Sequence, residues 1–159
     1  MISFQEENQK FNFRVGAIII SEDKTKVLLH TIKGRDFYLL PGGRVEWQED
    51  SVLSIKRELA EEIGLTNINP ILRLHIENFF TFQNVNYHEI SNIFTVYLDS
   101  RHKFLDKHKI FCGLEGEMYV YQWVDITDIN NYNLKPNLLK NVLHLHTNSQ
   151  EHIILHENT

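Results

Sequence analysis

One segment constrains this chain more than any other: a helical stretch over residues 49–63, entered through Pro41-Gly42-Gly43 and followed by Gly64. Asp50 and Ser51 suit a first turn, where a short side-chain oxygen accepts from an otherwise unpaired backbone N–H. Glycine suits the left-handed position just past a helix end. Val52, Ile55, Leu59 and Ile63 recur at spacings of three and four, which predicts a helix with one apolar stripe laid on a core. Glu58, Glu61 and Glu62 stand at i, i+3 and i+4 and share another face, centred away from that stripe. Like charges at i and i+4 cost about 0.2–0.5 kcal/mol in an isolated helix. Arg57 precedes Glu61 at the same spacing, but with the cation N-terminal, the weaker order. Clustered carboxylate oxygens suit a hard divalent cation such as Mg²⁺ or Mn²⁺, whose charge would turn the repulsion into attraction. Taken alone, the same three residues are also a solvated acidic face.

The rest of the chain supplies strands. Residues 11–20 and 26–30 are rich in β-branched or apolar side chains around a turn at 21–24, so a hairpin is expected. Residues 36–40 read as a short strand stopped by Pro41, and 71–77, 90–98 and 118–124 as further strands. A closing helix is expected over 137–146 and a short strand over 153–155, whereas 99–113 shows no period and reads as a loop. Strands and helices interleave without strict alternation, which points to an α/β fold with a mixed sheet covered by helices. The length of 159 residues fits one domain. Sixteen basic against twenty-one acidic residues leave a net charge of −5, which argues against a general nucleic-acid binder. A single cysteine, Cys112, excludes an internal disulfide and a cysteine zinc cage. The apolar run near residues 15–20 is too short to cross a bilayer, and the first residues do not read as a secretory signal, so a cytoplasmic location is expected.

Read together, Gly43, five residues, Glu49, seven residues, Arg57-Glu58-Leu59, one residue, Glu61-Glu62, one residue and Gly64-Leu65 resemble the signature of the Nudix hydrolase family at every defining position. Residues 37–43 and 123–129 resemble the family's strand-and-turn entry and its late strand and short helix. Three non-defining positions depart from the usual pattern: Gln48 before the first motif glutamate, and Ser54 and Ile55 before the arginine. The resemblance implies one domain over 1–159, an α/β/α sandwich around a mixed β-sheet, with the signature box at 43–65. It implies metal-dependent hydrolysis of a nucleoside diphosphate linked to another group, such as ADP-ribose, an ordinary or oxidised nucleoside triphosphate, or a nucleotide sugar. Glu58 and Glu62 match the main metal ligands, Glu61 a further ligand or water-positioning group, and the Gly42 carbonyl a position that can complete the coordination. Gly43, Glu49 and Arg57 match a brace between loop and helix. The general base is open among a helix glutamate, Glu115, Glu117 and Glu89. Homodimers are frequent in the family.

Outside the box the readings are two-sided. Arg101, His102, Lys103, Lys107, His108 and Lys109 could steer a polyphosphate or simply be a solvated loop. Phe79, Phe80, Phe82 and Tyr87 could stack a nucleobase or fill the core. His144 with His146 and His152 with His156 lack the cysteines of a known zinc pattern and read as polar faces. The alternative to an enzyme is a nucleotide-sensing module of the same fold without turnover. Such a module usually lacks box glutamates, and here all are present. An isomerase of diphosphate-bearing lipids would call for a catalytic cysteine, which Cys112 does not resemble.

Overall fold

The computed structural model describes residues 1–144 and 149–157. Its centre is a long strand, β2 (Gln9–Ile20), preceded by the short β1 (Ser3–Glu6) and followed by β3 (Lys26–Ile32) and β4 (Gly42–Arg44). After helix α1 (Ser51–Ile63) come β5 (Ile71–Phe82), β6 (Val85–Tyr97), β7 (Ile110–Gly113), β8 (Gly116–Asp125), helix α2 (Leu139–His144) and β9 (Glu151–Glu157). The sheet runs β7-β8-β3-β2-β6-β5-β9, with β1 and β4 also paired to β2. The β2–β6 and β5–β9 pairs are parallel and the others antiparallel, so the sheet is mixed.

Successive strand side chains face opposite ways, and β2 is apolar on both faces. Val15, Ala17 and Ile19 join Ile55, Leu59 and Ile63 of α1, with Leu105 from a 3₁₀ helix at Ser100–Lys107. Ile18 and Ile20 join Ile129 of a second 3₁₀ helix, Ile126–Asn131, and Leu139, Val142 and Leu143 of α2. Helices therefore cover both faces, giving the expected α/β/α sandwich. Among the described residues no helix is long and apolar enough to cross a membrane.

Several elements differ from the sequence reading. Residues 36–40 form only isolated bridges, His30 to Leu39 and Tyr38 to Leu134, and the strand instead runs through the glycines as β4. The expected loop at 99–113 holds the 3₁₀ helix and β7. That helix buries only His102 and Leu105, too short a pattern to show a period. The His102 ring accepts from the Asp99 N–H and faces the Thr66 and Asn67 carbonyls. Strands β5 and β6 extend into a long hairpin turned by Gln83 and Asn84, both at positive φ, where no glycine marks the turn. Val52 is exposed, so the buried stripe of α1 begins at Ile55. Residues 145 and 146 of the expected closing helix lie outside the described residues.

Candidate active site

Helix α1 starts cleanly because the Asp50 side chain accepts from the Leu53 N–H at 2.9 Å. It ends at Gly64, whose φ of 69° places it in the left-handed region. In front of it, β4 lies against β2, with Gly42 opposite Gly16 and Gly43 opposite Val15. A Cβ on Gly42, where φ is +148°, would lie 2.1 Å from the Val15 carbonyl oxygen. A Cβ on Gly43 would lie 2.3 Å from the Glu58 carboxyl carbon. The bare backbone is what lets the helix carboxylates press against the loop. The Gly42 N–H donates to Glu62 Oε2 at 3.1 Å.

A half-buried brace holds that arrangement. Arg57 grips Glu49 through two parallel bonds, Nε to Oε1 at 2.8 Å and Nη2 to Oε2 at 2.9 Å. Its Nη2 also donates to the Arg44 carbonyl at 3.1 Å, and its Nη1 to Glu58 Oε1 at 2.8 Å. Ser54 and the Glu46 N–H donate to Glu49 as well. Hydrogen bonds from Arg57 hold the Glu49 carboxyl down near 2. One guanidinium thus ties together the loop, β4 and the helix.

The three glutamates are not equivalent. At 100° per residue Glu62 stands only about 20° from Ile55, so it adjoins the apolar stripe instead of the outer face. It is 6% exposed, Glu58 is partly buried, and Glu61 reaches solvent while pairing with Arg57 at 3.3 Å. Burial, then the charge of Glu58, pushes the Glu62 carboxyl up to about 8 against the opposing Gly42 N–H. Burial also raises Glu58, opposed by Arg57. The turn between β7 and β8 meets the end of α1, where the Leu114 N–H donates to the Glu62 carbonyl at 2.8 Å. Glu115 follows, and its charge raises both Glu58 and Glu62. Burial, then Glu62 and Glu115, raises the phenol of Tyr121, which stacks on His30 at 4.6 Å. Glu117 is exposed on β8. Among the described residues no three His, Cys, Asp or Glu side chains are already gathered into a group able to hold a metal ion. Arg57 engages Glu58 and the Gly42 N–H engages Glu62. The donor set nonetheless fits a hard cation, since both carboxylates have raised pKa values, the charge of Glu58 acts on the buried Glu62, and Arg57 pairs with Glu58 alone.

A cleft of about 300 Å³ opens on the opposite face of the sheet, between strand residues Asn12, Arg14, Asn78, Phe80, Tyr87 and Glu89 and loop residues Arg35, Phe37, Lys135 and Pro136. Glu58 and Glu62 do not line it, but Arg14 and Arg44 connect the two regions. They are register partners, two residues from Gly16 and Gly42, and the Arg14 charge is felt at Glu62. Among the described residues Arg14, Arg35 and Arg44 have no carboxylate at ion-pair distance. Phe80 and Tyr87 stack at 4.7 Å along the cleft and Phe82 also borders it, whereas Phe79 stacks with His156 at 4.8 Å outside its lining. Glu89 lies in the cleft, accepting from Asn12 at 3.2 Å, and is not beside the helix glutamates. Arg101 is exposed and tied to Asp99 at 2.8 Å; Lys103 is exposed too, and neither lines the cleft. Sequence reasoning missed Arg14, Arg35 and Arg44. The available signal was a lone arginine inside the apolar β2, where a charge needs a purpose.

The Nudix domain family model matches residues 10–145. The chain belongs to the Nudix hydrolase family. It is a pyrophosphohydrolase, of a family that generally uses divalent metal ions. A relative, the 8-oxo-dGTP diphosphatase of Buchnera aphidicola subsp. Schizaphis graminum, is 28% identical over 137 residues, covering 84% of this chain and 90% of that protein. Two solved structures share the fold. The MutT protein from Bacillus halodurans superposes with a TM-score of 0.71 at 18% identity, covering 92% of this chain and 90% of the other. The dihydroneopterin triphosphate pyrophosphohydrolase of E. coli gives 0.60 at 18% identity, covering 82% and 91%.

Proposed function

We propose that this Nudix enzyme hydrolyses a nucleoside triphosphate, with an oxidised purine nucleotide such as 8-oxo-dGTP as the first candidate, in the presence of Mg²⁺ or Mn²⁺. The observation that carries the reading is the repelling Glu58–Glu62 pair, its Glu62 buried, connected through Arg14 and Arg44 to an arginine-lined cleft. The base lies in the cleft along Phe80 and Tyr87, and the phosphates run past Arg14 and Arg44 towards the Gly42–Gly43 backbone. Glu58 and Glu62 would hold the metal, with the exposed Glu61 on the outer side. A divalent cation held there would neutralise phosphate charge and acidify a water. Water attacks one phosphorus of the anhydride, the bond to the bridging oxygen breaks, and a carboxylate takes the proton. Glu115 is the best-placed base outside the helix, because its charge already acts on Glu58 and Glu62. The 8-oxo-dGTP diphosphatase relative, similar over most of both chains, supports the substrate class.

The test is turnover of triphosphates, oxidised nucleotides, ADP-ribose and nucleotide sugars with Mg²⁺ and with Mn²⁺ in ¹⁸O-water, with products resolved by mass spectrometry. Nucleoside monophosphate and pyrophosphate, appearing only with metal, is the expected result. Sole turnover of nucleotide sugars would overturn the substrate assignment. In the same assay Glu115→Gln lowers kcat by about 10²-fold and Glu117→Gln leaves it within about twofold. Equal, near-parent rates for both would return the base to the helix.

A further inference from the structure

The C-terminal strand lies past residue 145, the last one matched by the family model, yet it contributes Glu157 to the lining of the cleft. Strand β9 runs parallel to β5 along the sheet edge, and its register sets His156 beside Phe79 and Glu157 beside Phe80. Asn78, on β5 and 6% exposed, donates from Nδ2 to Glu157 Oε1 at 2.6 Å. A carboxylate only accepts, so this contact fixes which end of the amide faces Glu157. The other end, Oδ1, is buried with no partner among the described residues. An apolar side chain there would avoid that desolvation cost. The gain from having an amide at 78 is therefore its hold on Glu157. Glu157, whose carboxylate Asn78 steadies, lines the cleft with its register partner Phe80, which stacks on Tyr87.

We propose that Glu157, oriented by Asn78, is a specificity-determining residue that accepts hydrogen bonds from two adjacent N–H groups of a guanine-type base in the cleft. This rests on the nucleotide reading above. Two carboxylate oxygens match the N1–H and N2–H₂ donors that guanine and its 8-oxo form carry side by side. Adenine and cytosine present one amino group next to a lone-pair acceptor that a carboxylate repels. Thymine presents one N–H between two carbonyl oxygens. Inosine keeps N1–H and lacks the 2-amino group, so it separates the two contacts.

The experiment measures binding of GMP, IMP and AMP to the full chain by calorimetry with EDTA present, and KM and kcat for the three triphosphates. The parent is expected to prefer GMP over IMP and IMP over AMP. Glu157→Gln is expected to weaken GMP about tenfold and raise the KM for the guanine triphosphate to match, with kcat within about twofold and AMP unchanged. Glu157→Asp restores part of the preference. Asn78→Leu, which removes the unpartnered Oδ1 together with the donor to Glu157, loses the preference without melting lower than the parent. Variants that keep the parent's order of affinities overturn the assignment while leaving the nucleotide reading intact. A parent that binds and hydrolyses no nucleotide overturns both.

Discussion

Glu62→Gln is expected to lose metal-dependent turnover by about 10²–10³-fold and yet to melt higher than the parent at pH 8 when metal is absent. The two effects share one cause. The Glu62 carboxyl sits beside Ile55 in the wall of the core, and burial with the neighbouring Glu58 charge lifts it to about 8 from an ordinary value of 4.5. Between those two values the unfolded chain gives up its proton first, so the unfolded state binds fewer protons and stability falls as pH rises. The stabilisation is fully present below 4.5 and gone above 8. A glutamine cannot ionise and carries no such penalty. The gap in melting temperature should therefore be small at pH 5 and largest at pH 8, read by thermal melts in EDTA alongside kcat/KM. A gap of the same size at both pH values would contradict the burial argument, and undiminished turnover would contradict the ligand role.

Gly42→Ala is expected to cost about 3 kcal/mol or more, measured by urea unfolding. Its added carbon meets the Val15 carbonyl oxygen at 2.1 Å and the Gly16 Cα at 2.8 Å, in a backbone conformation that alanine resists. Neither neighbour is a side chain that can swing away, so β4 must leave β2 and carry the N–H off Glu62. Gly43→Ala makes the informative contrast. There the clash is with the Glu58 carboxylate, the movable end of a side chain. It should cost less stability than Gly42→Ala but still remove most turnover, because the displaced group is a proposed metal ligand. Parent-like activity in Gly43→Ala would separate Glu58 from the chemistry.

The box was legible because its spacing is local. Glycines, a capped helix and glutamates at i, i+3 and i+4 need no tertiary contact to be read. What the helical arithmetic hid was the rank order within the cluster. Treating Glu58, Glu61 and Glu62 as one face overlooked how close Glu62 falls to Ile55, and burial distinguishes the three in the folded chain. The brace was readable in identity, whereas its third anchor, the Arg44 carbonyl, depends on β4 pairing with β2. Of the cleft only the aromatics Phe80, Phe82 and Tyr87 and the carboxylate Glu89 were picked out in the sequence, and not its arginines or its outline. Arg14, Arg35, Asn78, Lys135 and Glu157 come from five separate stretches of the chain and meet only after the sheet has formed. The basic run at 101–109 drew notice by local density, but its Arg101 is tied to Asp99 on an exposed 3₁₀ helix.

The central claim is that the buried Glu62 and the partly buried Glu58 form a partly protonated carboxylate pair that a divalent cation completes. Mn²⁺ binding measured calorimetrically in buffers of different ionisation enthalpy tests it most directly, because the dependence on buffer counts the protons released. With Glu62 near 8, metal binding at pH 7 should release about one proton, falling towards zero by pH 9.5, and Glu62→Gln should release none. Mn²⁺ binding that releases no proton at pH 7, or the same number in Glu62→Gln, would contradict the account.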